Sequence, residues 1–226
     1  MWYDGIVQGV FVTGSREQPA QVQDVLHDPE TFRARVREAL AHRKARHGTR
    51  RPGTRRAAVL MPLVASPDGA AVLLTKRTDT LERHGGQISF PGGGLEEGET
   101  PLEAALRETF EEIGVPPADV DVLGRLDEEV ITVSGFAVTP FAGVIAYPSR
   151  LRLSAREVRA VLQVPIEVLL DPHTTRTEVW ERGGRSRVVH FYAVGGEAVW
   201  GATARIIAGF LQAVFGVPSR GAGDVI

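Results

Sequence analysis

A chain of 226 residues, 43% of them apolar, is long enough to bury the core of one elaborated domain or two small ones, which argues against disorder overall. A formal charge of −2, from 26 basic and 28 acidic side chains, excludes a global attraction to nucleic acid or acidic membranes, although a local basic patch stays open. No cysteine is present, so disulfides and cysteine-based zinc or nucleophile chemistry are excluded, and a reducing cytoplasm is the simplest home.

The opening MWYDGIVQGVFVTGSREQPA contains an apolar run, but with Asp4 where a basic leader would stand and well short of a membrane span. It reads as neither signal peptide nor anchor, and as either a short strand or a loosely ordered extension covering 1–27. Asp28, Pro29 and Glu30 then open a helix through FRARVREALAHRKAR, with Phe32, Val36 and Leu40 on one stripe. Arg43 to Arg56 follows, with seven Lys or Arg residues broken by Gly48, Pro52 and Gly53. It reads as a linker or as a cationic rim that steers a polyphosphate ligand; a nucleic-acid tail is disfavoured because no aromatic residue interleaves the charges.

Two apolar runs, 57–65 and 70–77, flank SPDG and predict a hairpin. Alternation along the second sends Lys76 and Arg77 to opposite faces. Arg77 is then a candidate for substrate phosphates, as is Arg83 in the loop RTDTLERHGGQISFPGGG beyond it; His84 and Gln87 carry groups that can hydrogen-bond a phosphate, and His84 suits loop packing equally well.

The stretch GGLEEGETPLEAALRETFEEIGV, 93–115, joins a glycine-rich loop to a helix. Thr100, Pro101 and Glu103 supply a cap, a first-turn proline and a capping-box glutamate, and Gly114 a C-terminal stop. Leu102, Ala105, Leu106, Thr109, Phe110 and Ile113 recur at helical spacing and predict the packed face. Glu108, Glu111 and Glu112 then project from one arc of an adjoining, solvated face. Carboxylates so crowded suit a hard divalent cation such as Mg²⁺ or Mn²⁺, shared with a phosphate substrate. The bland alternative is an acidic surface offset by Arg107, four residues before Glu111.

Beyond the helix, 120–132 and 136–146 read as two strands of the same sheet, and SAREVRAVLQVPIEVLLDP as a helix with Val158, Val161 and Leu162 inward. Runs on either side of Gly183 and Gly184 predict a second hairpin, whose Trp180, His190 and Tyr192 are core or edge residues, or a stacking surface for adenine. That hairpin also offers a dimer edge, so monomer and homodimer both stay open. Thr203 to Phe215 closes the chain as an amphipathic helix, and 218–226 reads as a flexible tail.

The order Gly93, Glu99, Arg107, Glu108, Glu111, Glu112, Gly114, Val115 resembles the signature box of the Nudix hydrolases, with Thr109 where the family carries a large aliphatic residue. Just upstream, LLT at 73–75, Arg77, Gly86, Phe90, Pro91, Gly92 and Gly93 resemble the additional motif of the coenzyme A pyrophosphatase branch. The branch usually has an arginine where Glu82 stands; either Arg83 serves instead or coenzyme A recognition is altered.

The resemblance implies a Nudix-like α/β/α sandwich with a mixed central sheet and an N-terminal helical extension, as a single domain over 28–217. It implies Mg²⁺ (or Mn²⁺) held by Glu112 with Glu108 or Glu111, and by the carbonyl of Gly92. Arg107 would orient the carboxylates, Glu99 would support them, and Glu108, Glu128, Glu129 or Glu157 would act as base. The implied partner is a small nucleotide, with no nucleic acid and no membrane. The implied reaction is hydrolysis of coenzyme A or a derivative to 3′,5′-ADP and 4′-phosphopantetheine. Cleavage of ADP-ribose or a dinucleoside polyphosphate, and a non-catalytic nucleotide-binding module, are the alternatives.

Overall fold

The computed structural model describes residues 2–4, 7–9, 20–78, 86–131, 134–146, 151–182 and 185–217. The elements run β1 (Trp2–Asp4), β2 (Val7–Gly9), α1 (Ala20–His27), α2 (Pro29–Ala41), β3 (Arg55–Val64), β4 (Ala71–Arg77), β5 (Ile88–Ser89), β6 (Gly92–Gly94) and α3 (Pro101–Ile113). After α3 come β7 (Val120–Arg125), β8 (Glu129–Ile131), β9 (Phe136–Ile145), β10 (Arg152–Ser154), β11 (Val158–Pro165), α4 (Ile166–Leu170), β12 (Thr175–Arg182), β13 (Arg185–Val194), β14 (Glu197–Trp200) and α5 (Gly201–Phe215).

The central sheet has the order β2-β11-β4-β3-β9-β7, with β5 beside β4, β6 beside β3 and β8 beside β9. It is mixed: β3 and β9 run parallel from Arg55↔Phe136 to Val64↔Ile145, β2 and β11 are parallel, and the other pairs are antiparallel. Period-2 alternation decides what each face meets. On β3, Ala58 and Leu60 pack with Ala104 and Ala105 of α3. Met61 and Leu63 point the other way, into a core with Leu74, Phe32 and Val36 of α2, and Phe210 and Val214 of α5. Helices therefore cover both faces, and the large fully buried side chains Phe32 and Phe210 each contribute about 2 kcal/mol by leaving water.

Two expectations are corrected. The segment read as one helix from 154 is mainly strand β11, followed by the five-residue α4. Val161 and Leu162 enter different clusters on opposite sides of the sheet, as adjacent strand residues do. Both faces of β11 are buried, so its apolar pattern mimics a helical stripe. The run 120–132 splits into β7 and β8, both paired with β9. Within 1–27, the short-strand alternative holds for β1, which pairs with β10, and β2, which pairs with β11, and α1 adds a helix that sends Leu26 into the core.

The predicted hairpins are present: β3 and β4 pair through Leu63↔Val72 and Val64↔Ala71, and β12 with β13 through to Arg182↔Arg185. Gly183, Gly184 and the tail 218–226 lie outside the described residues. In the three-stranded sheet β12-β13-β14, Tyr192 is buried, while the half-exposed Trp180 tilts against Phe191 and Trp200. Among the described residues no helix is long and apolar enough to cross a membrane.

Candidate active site

Helix α3 starts as its sequence dictates. Thr100 accepts from the Glu103 backbone N–H at 3.3 Å, and Glu103 accepts in return from Thr100 N at 2.8 Å. Gly114 ends it in the left-handed region at φ 75°, with its N–H on the Phe110 carbonyl. Thr109 is fully buried where an aliphatic residue was expected, and its hydroxyl is satisfied by donating to the Ala105 carbonyl at 2.6 Å.

The packed face differs from the expected one at two positions. Phe110 is 46% exposed, whereas Glu112 is only 3% exposed and shares the buried face with Ala105, Thr109 and Ile113. Glu112 therefore does not stand on a solvated arc. The helix is rotated so that the Ala104 and Ala105 side meets β3, which carries Glu112 inward and Phe110 outward.

Glycines let the preceding loop close on this helix. Gly92 has φ 152°, and a Cβ there would collide with the Ala58 carbonyl and Val59; a Cβ on Gly93 would collide with the Glu108 carboxylate. The Gly92 backbone N–H donates to the Glu112 carboxylate. This contact runs through the N–H, whereas the implied role of Gly92 was through its carbonyl.

Arg107 is the hub of the acidic side chains. Its Nε donates to Glu99 at 2.8 Å, its Nη1 to Glu108 at 3.0 Å and Glu111 at 3.3 Å, and its Nη2 to Glu99 and to the Gly94 carbonyl, both at 3.1 Å. Glu99 also accepts from the Glu96 N–H. These bonds join helix and glycine loop into one unit.

Charge is nevertheless undercompensated. Burial pushes the Glu112 carboxyl up to about 8, against the Arg77 guanidinium and the Gly92 N–H that lower it, with Glu108 and Glu157 raising it further. Burial likewise raises Glu108, despite Arg107. Arg107 in turn holds Glu99 below the usual carboxylate range.

Arg77 reaches this site from the end of β4, with Nη1 3.9 Å from Glu112, and its buried Nε has no hydrogen-bond partner. Lys76 faces the other way, onto Glu197 of β14. Gln87 lies beside Arg77, whose N–H donates to the Gln87 carbonyl at 2.9 Å. Glu82, Arg83 and His84 lie outside the described residues.

The later acids separate clearly. Glu128 is engaged by Arg50 and Arg125, and Glu129 by Arg205 at 2.7 Å. Only Glu157 of these three acts on both Glu108 and Glu112, and the Thr78 N–H donates to its carbonyl, next to Arg77. Sequence reasoning missed the pairing of Arg77 with Glu112; period-2 alternation on β4 was the available signal, but the side covered by α3 had to be known.

Among the described residues no three His, Cys, Asp or Glu side chains close around a common point, and Arg107 Nη1 occupies the space between Glu108 and Glu111. The donor chemistry still fits a hard divalent cation. Glu112 is a buried carboxylate with one guanidinium at 3.9 Å and one backbone N–H, and Glu108 is half-buried beside it.

Comparison with known proteins shows the family. Residues 54–147 match the NUDIX domain. An uncharacterized Nudix hydrolase NudL of Cronobacter sakazakii is 41% identical over 160 residues, 68% of this chain and 79% of that protein. NudL of Escherichia coli K12 is 40% identical over 158 residues with the same coverage. The solved Nudix hydrolase RenU of M. smegmatis superposes with a TM-score of 0.43 at 27% identity, over 55% of this chain and 78% of that one. The chain belongs to the Nudix hydrolase family. It is accordingly a pyrophosphohydrolase of nucleoside diphosphate derivatives, in a family that uses divalent metal ions such as Mg²⁺.

Proposed function

We propose that this Nudix hydrolase cleaves the pyrophosphate bond of coenzyme A or its derivatives, giving 3′,5′-ADP and 4′-phosphopantetheine. The carrying observation is the approach of Arg77, the arginine of the LLTKR stretch, to Glu112, the innermost of the three helix carboxylates. That stretch, with Phe90, Pro91 and Gly92, is also what resembles the coenzyme A branch. We treat 28–217 as the hydrolase domain, since α2 and α5 share one core with the sheet. The nucleotide-processing site and the absence of cysteine suit a cytoplasmic enzyme acting on a small molecule.

Bound Mg²⁺ or Mn²⁺ would sit on Glu112 with Glu108 and Glu111, supplying compensation for the charge that builds on the phosphoryl oxygens. Arg77 offers its unpartnered Nε to a substrate phosphate while its Nη1 faces Glu112. Arg107 orients Glu108 and Glu111 and is itself held by Glu99. Glu157 takes the proton of the attacking water, being the later acid turned to this site.

The test is incubation of the full chain with Mg²⁺ and, separately, coenzyme A, ADP-ribose and diadenosine polyphosphates, with products weighed by mass spectrometry. Coenzyme A should be the preferred substrate. Brisk ADP-ribose or dinucleotide cleavage with coenzyme A untouched would overturn the substrate, and binding without any turnover would make the protein a nucleotide-binding module.

A further inference from the structure

A second charged site lies away from α3, between the segment after α2, the loop before β8, and α5. It encloses a cavity of about 260 Å³ whose lining includes Arg43, Arg46, His47, His190, Arg205 and Gly209. The acids around it are Asp127, Glu128 and Glu129. Arg43 and Arg46 pair with Asp127 at 2.7 and 3.1 Å, Arg50 and Arg125 with Glu128, and Arg205 with Glu129 at 2.7 Å. Five guanidiniums thus face three carboxylates in the surrounding cluster, and of these Arg43, Arg46 and Arg205 line the cavity beside all three acids.

Two features give the cavity a free donor and room for an anion. Arg43 Nη1 is buried and has no hydrogen-bond partner, a donor that is costly to leave unmet. Gly209, in the interior of α5, lines the cavity, and a Cβ there would meet nothing within 4 Å, so the helix leaves open space at this position. His190, half-buried, is held neutral by burial and by the nearby Arg205 charge, and keeps a ring N–H to donate.

We infer that this cavity is an anion subsite that takes a phosphate monoester, with Arg43 and Arg205 as its guanidinium donors and His190 beside them. Forked guanidiniums with spare N–H groups match phosphate geometry. Its position suits a substrate that also occupies α3. Glu129 pairs with Val138, Val138 with Ala57, and Ala57 with Gly94, so three strand spacings put the cavity wall about 14 Å from the glycine loop. One nucleotide derivative can address both. Resting on the coenzyme A reading, the phosphate assigned here is the one on the ribose 3′ oxygen.

The experiment measures binding by calorimetry on the full chain, free of metal and at low salt, with adenosine 3′,5′-bisphosphate and 5′-AMP, and with inorganic phosphate as competitor. The bisphosphate should bind at least about tenfold more tightly than 5′-AMP, and phosphate should compete away that advantage. Arg43→Gln should abolish the preference. Gly209→Asp, which sends a carboxylate into open space, should do the same and serves if Arg43→Gln fails to fold, while Gly209→Ala keeps the preference. Equal binding of the two nucleotides by the wild type, or a preference that survives in a folded Arg43→Gln or Gly209→Asp protein, overturns the inference. The readout needs no turnover, so a retained preference in an enzyme that leaves coenzyme A intact keeps the subsite and rejects the substrate reading instead.

Discussion

The α3 site and the basic segment that follows α2 are built from the same two groups, guanidinium and carboxylate, in opposite proportions. At α3, Glu99, Glu108, Glu111, Glu112 and Glu157 surround Arg107 and Arg77, and the balance is left negative. Around Arg43 to Arg50, three carboxylates are outnumbered by five arginines, and the balance is left positive. Ion pairs that balance are structural and carry little function, whereas a partly buried imbalance costs stability and marks where an outside ion belongs. A metal suits the first and a phosphate the second.

The largest expected effect comes from neutralising the acidic excess. Glu112→Gln should cut turnover by roughly three orders of magnitude with Mg²⁺ present, since the most buried of the three α3 glutamates is lost. The same change should not destabilise the metal-free protein. The Glu112 carboxyl, pushed up to about 8 by burial, lies above the ordinary glutamate value of 4.5, so protonation favours the fold. Its contribution is therefore present below about pH 4.5 and lost as pH rises through 8. In the presence of chelator, Glu112→Gln should melt higher than wild type at pH 8 and above, with the gap closing toward pH 5. A melting temperature that falls below wild type at pH 8 would contradict the undercompensated charge.

Next in size, Glu157→Gln should lower kcat by about 100-fold. Glu129→Gln, with its carboxylate on Arg205, should leave kcat near the wild-type value. A near-normal kcat in Glu157→Gln would return the base to Glu108.

Much of this was legible before any coordinates. The caps of α3, its glutamates and the two hairpins follow from local spacing, because capping, turn chemistry and side-chain period are decided within a few residues. What was not legible depends on how far an element is rotated or covered. Glu112 and Phe110 exchange their expected environments because the side of α3 that meets β3 is a tertiary choice. Strand β11, covered on both faces, carries no polar alternation to distinguish it from a helix. The segment 43–56 read as a linker or steering rim, and its acidic partners stand some eighty residues further along the chain.

The smallest effect concerns stability on the basic side. Arg50 holds the Glu128 carboxyl below the usual carboxylate range, so its stabilisation is present above about pH 4.5 and lost as pH falls through the folded value. Glu128→Gln should cost about 1–2 kcal/mol at neutral pH, since it takes the buried carboxylate's charge from the part-exposed Arg50 and Arg125. Urea midpoints should converge with wild type in acid; a gap that persists there would mean that packing, not charge, is responsible.

Steady-state hydrolysis of coenzyme A and of 3′-dephospho-coenzyme A with Mg²⁺, products followed by mass, tests substrate and subsite together. The first should give 3′,5′-ADP and 4′-phosphopantetheine, and the second a similar kcat with a KM raised about tenfold or more, because only the Arg43 cavity loses its ligand. Intact coenzyme A, or equal KM values for the two compounds, would contradict this reading.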